Sequence, residues 1–240
     1  MSLAPAEAWF KQQGWSVFPF QEEAWIKFQA GYNGIVNAPT GSGKTYSLLL
    51  PIMLEIHRRK EAFVVFGKKQ APPGLQAIWI TPIRALGKEI QQSAQRAAAG
   101  LDIQIEAAIR TGDTSTKEKA RLKRTPPDIL ITTPETLHLL LAQKDYPRYF
   151  RDVFAIVMDE WHELIGSKRG VQIELALSRM KTICAGLRIW GISATIGNME
   201  ESLQVLLGNW YEEREHSIIR RGIKKQYVVE SVFPDELETL

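Results

Sequence analysis

The sequence predicts an α/β fold, a mainly parallel sheet with helices on both faces. Short β-branched apolar runs bounded by turn residues recur along the chain, and most are continuously apolar instead of alternating. That is the pattern of parallel strands covered on both sides. Helical stretches lie between them, giving strand–helix–strand repeats and a doubly wound arrangement whose ligand site lies at the carboxyl ends of the strands.

Taken in order, the expected strands are 34–37, 77–80, 103–109, 128–131, 154–158 and 188–192. A helix is expected from Lys44 to Arg59, and a second from Leu86 to Ala99 with Gly100 as its C-terminal cap. Thr133 and Pro134 read as a capping threonine and a first-turn proline, opening a helix through Leu141. The last clear helix runs from Asn198 to Leu207 and stops at Gly208. The segment 60–74 interrupts the pattern with Lys68, Lys69 and the turn Pro72-Pro73-Gly74, so an exposed loop is expected there.

The 240 residues suffice for one well-buried core, expected over 1–209, with 210–240 a charged tail leading toward a second domain. No stretch approaches the roughly 18 uninterrupted apolar residues that a membrane helix requires. The N-terminus lacks a basic segment followed by an apolar one, so a cytoplasmic location is expected. The single cysteine, Cys184, sits among Ile183, Ala185 and Leu187 and reads as a small buried hydrophobe. A net charge of +3 is compatible with nucleic acid but equally ordinary for an enzyme. Function must come from motifs.

The first motif follows the earliest strand. Ile35-Val36-Asn37 leads into Ala38-Pro39-Thr40-Gly41-Ser42-Gly43-Lys44-Thr45 and then into the apolar helix carrying Leu48, Leu49 and Leu50. A strand, a glycine-rich turn and a helix start surround a phosphate chain with backbone N–H groups and the positive end of a helix. Lys44 is placed to reach the β- and γ-phosphates, and Thr45 to offer its hydroxyl to Mg2+. Ala38 stands where such loops usually begin with glycine.

The second motif ends the strand 154–158, where Asp159-Glu160-Trp161-His162 follows. Phosphoryl transfer to water needs one carboxylate in the Mg2+ shell and another to position or deprotonate the water. Asp159 fits the first role and Glu160 the second. An acidic pair after a strand is common by itself; together with the phosphate loop it points to hydrolysis of a nucleoside triphosphate.

These motifs together resemble the superfamily 2 helicases, and the Asp159-Glu160-Trp161-His162 box resembles the DExH type. The segments 158–172 (MDEWHELIGSKRGVQ) and 14–25 (GWSVFPFQEEAW) are similar to the large helicase-related (Lhr) family, in particular its bacterial ligase-associated branch. The resemblance spans about Trp9 to Leu207 and covers only the first RecA-like domain of that family. It implies that Gln21 recognises the adenine edge, with Trp15 or Phe18 as the nearby aromatic; core packing is the plain alternative for Phe18 and Phe20. An amide can pair with both the donor and the acceptor of adenine.

The resemblance also implies a single-strand surface. Thr81, Pro82 and Arg84 (in TPIRAL), Arg110, Thr111 and Gly112 (in RTGD), and Thr132, Thr133, Pro134 and Glu135 match motifs that hold a nucleic-acid backbone. Each segment alone is equally ordinary capping chemistry; their recurrence at three successive strand ends favours contact. Hydroxyls and helix N-termini suit phosphates and carry no base information. Ser193, Ala194 and Thr195 match the motif that couples the acidic box to this surface, and His162 either joins that relay or is structural. The basic run 117–124 (KEKARLKR) and Arg58-Arg59-Lys60 read first as solvated helix faces, with phosphate contact second.

Nothing after Trp210 resembles the second RecA-like domain, whose arginines complete the ATP site in that family. An arginine finger is worth on the order of 10³–10⁵ in rate. The chain is therefore expected to bind ATP and hydrolyse it feebly. The resemblance implies that the intact protein is an ATP-dependent translocase on single strands, moving 3′ to 5′ on DNA in a repair setting. An RNA helicase motor and a nucleotide-gated binding module are the alternatives.

Overall fold

The computed structural model describes residues 3–66, 74–195 and 197–221. Its strands are β1 (Asn33–Asn37), β2 (Ala77–Ile80), β3 (Ala107–Arg110), β4 (Ile129–Thr132), β5 (Ala155–Met158), β6 (Arg188–Ser193) and β7 (His216–Arg220). Among the described residues they form one seven-stranded sheet in the order β3-β4-β2-β5-β6-β1-β7, and every pairing is parallel. β2, β4 and β5 are buried along their whole length, as continuously apolar strands require.

The helices are α1 (Ala4–Gln12), α2 (Pro19–Gln29), α3 (Lys44–Phe66), α4 (Arg84–Leu101), α5 (Thr116–Arg124), α6 (Pro134–Leu141), α7 (Tyr146–Phe150), α8 (Lys168–Ile183), α9 (Met199–Leu207) and α10 (Trp210–Glu213). α1 to α4 cover one face of the sheet around Trp25, Leu49, Trp79 and Trp190. α6 to α9 cover the other around Leu137, Phe150, Trp161 and Leu203. Cys184 belongs to this second core; its thiol donates to Phe150 O at 3.2 Å, and burial pushes its pKa up to about 12. Among the described residues no helix is long and apolar enough to cross a membrane.

Four sequence expectations need correction. Of the stretch 103–109, only the end is strand, because 103–106 lies before the register shared with β4. The loop expected over 60–74 begins later, since α3 continues to Phe66; residues 67–73, including Lys68, Lys69, Pro72 and Pro73, lie outside the described residues. Gly100 does not cap α4. Asp102 takes the left-handed C-cap conformation (φ 52°), and Gly100 lies inside the helix where a Cβ would meet Trp9 Nε1 at 1.9 Å. It is small so that α1 can dock.

The boundary expected at 209 also moves. The charged segment after Trp210 forms α10 and then β7, which pairs in register with β1 from Asn33↔His216 to Asn37↔Arg220. The sheet unit therefore reaches Arg220, and the rest of the expected tail, 222–240, lies outside the described residues. Thr133 does stand at the N-cap of α6, but its hydroxyl meets Thr136 Oγ1 at 3.3 Å instead of a backbone N–H. Asn198 caps α9 as expected, accepting from Glu201 N–H at 3.2 Å.

The β7–β1–β6 seam depends on one small residue. A Cβ at Gly34 would lie 2.4 Å from Ser217 O and 2.7 Å from the Trp190 ring. Gly34→Ala is expected to lower the stability of the domain by about 1–3 kcal/mol, the usual range for overpacking. Urea denaturation of the two proteins measures it.

Candidate functional site

The strand order explains how the site assembles. β5, β6 and β1 are neighbours in the sheet and all run the same way, so their carboxyl ends present 159–162, 193–195 and 38–45 side by side. Asn37 enters the phosphate loop from β1. Ala38, with its methyl fully buried, donates its N–H to Ser193 O at 3.0 Å, joining the loop to the end of β6. Its φ is not positive, whereas Gly41 and Gly43 stand at φ 76° and 77°. Glycine is thus needed at those two positions and not at 38.

The loop turns through Pro39, Thr40 and Gly41, and Ser42 N–H bonds Pro39 O at 3.2 Å. The N–H groups of Gly41 and Gly43 make no hydrogen bond within the described residues, and the Thr45 hydroxyl has no partner there either. Ser42 Oγ is buried without a partner. Free backbone donors, unengaged hydroxyls and a helix start thus lie together within residues 41–45, an arrangement suited to a phosphate chain.

Lys44 Nζ lies 2.5 Å from Glu160 Oε1, and both side chains are largely buried. The lysine of the phosphate loop and the acidic box therefore meet at one rim of the sheet. Glu160 has a left-handed backbone, φ 46°, which is uncommon for a residue with a side chain and belongs among the strained conformations that cluster at functional sites. Its Oε2 is buried and lies 3.5 Å from His162 Nδ1, which in turn lies 2.8 Å from Ser193 Oγ. Glu160, His162 and Ser193 form a polar chain from the acidic box to β6. Ala194 and Thr195 continue beyond it, with Thr195 exposed. Trp161 is buried in the second core and donates to Ser202 O at 3.0 Å.

Asp159 is 5% exposed. Burial raises its pKa to about 6, opposed by the Trp79 hydrogen bond and helped by the Glu160 charge. A carboxylate held this dry, within reach of the Lys44 charge, suits a divalent cation whose charge replaces the lost hydration.

Beside the phosphate loop lies a cavity of about 590 Å3 lined by Trp15, Phe18, Gln21, Gly43 and Tyr46, among others. Trp15 and Phe18 are partly exposed, at 39% and 38%, while Phe20 is buried. Core packing thus claims Phe20 and leaves Phe18 on the cavity. Gln21 sits at the cavity wall with its amide already engaged: Oε1 accepts from Phe18 N–H at 2.9 Å and Nε2 donates to Gly43 O at 2.9 Å. A Cβ at Gly43 would meet that Nε2 at 2.8 Å. Gln21 ties the cavity wall to the phosphate loop, with one N–H and one lone pair left over.

The remaining motif segments end β2, β3 and β4 at the same rim, and they are less uniform. Arg84 is exposed and pairs with Asp113; Gly112 is exposed and its C=O accepts from Lys119 Nζ at 2.8 Å. Glu135 pairs with Arg169 at 2.6 Å, and Arg169 also donates to Pro82 O at 2.9 Å, joining two of the segments. Thr81, Pro82, Thr111, Thr133 and Pro134 are buried. Two residues depart from the expected surface role. Arg110 is 8% exposed, turned inward beside Tyr149 of α7, whose phenol its charge influences. Thr132 is fully buried, and its hydroxyl donates to Arg110 O at 2.7 Å. Each is the last residue of its strand, still on the ladder between β3 and β4, and its side chain is buried. Their side chains do not offer groups to a strand on the surface.

The basic run is α5, in which Arg121 pairs with Glu118 and Glu106 and Lys123 with Asp145. Arg58, Arg59 and Lys60 pair with Glu55 and Asp128. The sequence reading missed Arg169 and Arg221. Arg221 follows β7, stacks over the Phe18 ring at 3.9 Å and bonds Asn37 O through its N–H at 2.9 Å. Only the unforeseen pairing of β7 with β1 brings it to the cavity wall.

A family model described as DEAD/DEAH box helicase matches residues 18–202, most of the chain. The chain belongs to the DEAD/DEAH box helicases. Among relatives of this helicase domain, the ATP-dependent helicase Lhr-Core of Methanothermobacter thermautotrophicus is 32% identical over 94% of the chain and 27% of its own length. The Lhr helicase/uracil glycosylase of Escherichia coli is 32% identical over 84% of the chain and 14% of its own length. The solved structure of Mycobacterium smegmatis helicase Lhr bound to ssDNA and AMP-PNP superposes with a TM-score of 0.79 at 28% identity, covering 93% of this chain and 28% of that one. The chain thus spans about a quarter or less of the length of these relatives.

The buried carboxyl gives this helicase domain a pH signature. Because the folded pKa of Asp159 is about 6, above the ordinary 3.8, the folded chain holds the proton more tightly than the unfolded one. Stability of the nucleotide-free protein therefore falls as pH rises between those values and stays lower above them. Asp159→Asn is expected to remove this slope, raising stability near neutral pH by on the order of 1–3 kcal/mol and leaving it little changed near pH 4. Thermal melts across pH measure the difference.

Proposed function

We propose that this chain is the ATP-binding half of a helicase motor that moves along single-stranded nucleic acid, with DNA as the track and 3′ to 5′ as the direction. The contact between Lys44 and Glu160, beside the cavity of Trp15, Phe18 and Gln21, is the observation that supports it most. The base enters the cavity, and the phosphates lie along the free N–H groups of Gly41 and Gly43 toward Lys44. Thr45 and Asp159 hold Mg2+, which when bound polarises the terminal phosphate and neutralises its charge.

Lys44 leaves Glu160 for the phosphates when the nucleotide binds. Freed of its cation, Glu160 positions the attacking water and accepts its proton. His162 lies next to Glu160 and Ser193, so a change of charge at Glu160 is felt at the end of β6. A single strand runs across the ends of β2, β3 and β4. It meets Arg84, Gly112, Arg169 and the backbone of Thr81, Pro82, Thr111, Thr133, Pro134 and Glu135, contacts that bind phosphates and read no bases. A second RecA-like domain of the same full-length protein closes over the nucleotide and supplies arginines that complete the ATP site. Closure and reopening then drive the steps.

DNA is preferred over RNA because the M. smegmatis relative is described as bound to ssDNA. The reading of a binding module without turnover is disfavoured, since it leaves Glu160 and its relay without a task.

The test uses the full-length protein. Glu160→Gln is expected to bind ATP like the parent while losing about 10²–10⁴ in ATPase rate, the usual contribution of a general base. DNA unwinding falls with it. Undiminished unwinding in this variant overturns the mechanism. Stimulation of ATPase by single-stranded RNA but not DNA shifts the reading to an RNA helicase, and indifference to both supports the binding module.

A further inference from the structure

Asp159 is held by this chain at three points. Its N–H donates to Ile80 O at 2.8 Å, its Oδ1 accepts from Glu160 N–H at 3.0 Å, and its Oδ2 accepts from the indole Nε1 of Trp79 at 3.2 Å. Trp79 is the third residue of β2, is 1% exposed, and faces Val157 across the β2–β5 ladder. Its sequence context gives it no role beyond filling a strand.

The other bonded indoles of the molecule show what is unusual here. Trp25, Trp161 and Trp190 donate to the backbone carbonyls of Tyr46, Ser202 and Tyr32, at 3.0, 3.0 and 2.8 Å. Those bonds satisfy a buried N–H and nothing more. The Trp79 indole instead donates to a side-chain carboxyl, and a hydrogen bond to an ionised acceptor is roughly twice as strong as a neutral one. It also acts on geometry. The Asp159 side chain has two torsions, and the indole bond fixes which lone pairs of Oδ2 remain for another partner. Carboxylates that hold metals are commonly oriented by such outer hydrogen bonds.

We propose that Trp79 is a positioning residue for the Mg2+-holding carboxylate, orienting Asp159 through its indole N–H. The inference rests on the reading of Asp159 as the metal-holding group. Packing alone makes a different demand. It needs the bicyclic ring and is indifferent to the N–H.

The experiment separates the two with the full-length protein carrying β-(3-benzothienyl)alanine at position 79, a ring of nearly the same shape with sulfur in place of the N–H. Trp79→Phe serves as a genetically simple companion. Binding of a fluorescent, non-hydrolysable ATP analogue is titrated with and without Mg2+. The parent binds more tightly with Mg2+; in the benzothienyl variant that gain is expected to shrink by about 10-fold or more, the usual effect of removing an outer partner. Affinity without Mg2+ stays at the parental value, and the melting temperature falls only by the few degrees that the loss of one buried hydrogen bond costs. Asp159→Asn in the same titration tests the underlying reading and is expected to abolish the gain. If Asp159→Asn keeps the gain, the assignment of Asp159 is wrong. If Asp159→Asn loses it while the folded benzothienyl variant keeps all of it, Trp79 is packing only and the inference is overturned. Should Trp79→Phe fail to fold, the isostere alone decides.

Discussion

The ion pair between Lys44 and Glu160 is possible only because β1 and β5 point the same way and are separated by a single strand. Residues 116 apart in sequence come within hydrogen-bond reach by that constraint alone. Reversing either strand would send one of the two groups to the opposite rim. The same constraint puts Ser193, at the end of the intervening β6, between them, where it bonds both Ala38 and His162. A parallel sheet here works as an alignment device: it converts strand ends that are far apart in the chain into one polar line.

Burying that line has consequences for its charges. Lys44 and Glu160 neutralise each other, which offsets part of the cost of taking both from water. Burial is what raises the pKa of Asp159, and among the described residues no cationic side chain is bonded to it. The site thus holds one satisfied charge pair and one carboxyl for which ionisation is costly, an imbalance that a bound cation relieves. The left-handed backbone of Glu160 belongs to the same picture, because the chain must bend sharply between a carboxyl facing the sheet and one facing the loop.

The sequence was most readable where local chemistry decides the structure. The glycine turn before Lys44, the apolar strand before Asp159 and the proline after Thr133 each act within a few residues, and the elements formed there. It was least readable where a partner far along the chain decides. β7 (HSIIR) lies in a charged stretch with little pattern of its own and becomes a strand because β1 offers an unpaired edge. Gly100 reads as a helix stop until Trp9 is seen packed on it. Arg110 looks like a surface contact in RTGD, but strand alternation turns it inward. Arg169, Arg221 and Trp79 carry no local signature, since what singles them out is the carbonyl, ring or carboxyl that the fold brings to them.

The pairing of β7 with β1 gives the chain's own continuation a mechanical grip on the pocket. Arg221 N–H is bonded to Asn37 O, and Asn37 passes straight into the phosphate loop. Its guanidinium leans on Phe18 at the cavity wall. A pull on Arg221 along the strand axis is therefore a shear on β1, delivered one hydrogen bond away from the strand that feeds the glycine-rich loop 38–45. Load carried by β7 enters the domain at the seam that carries this loop.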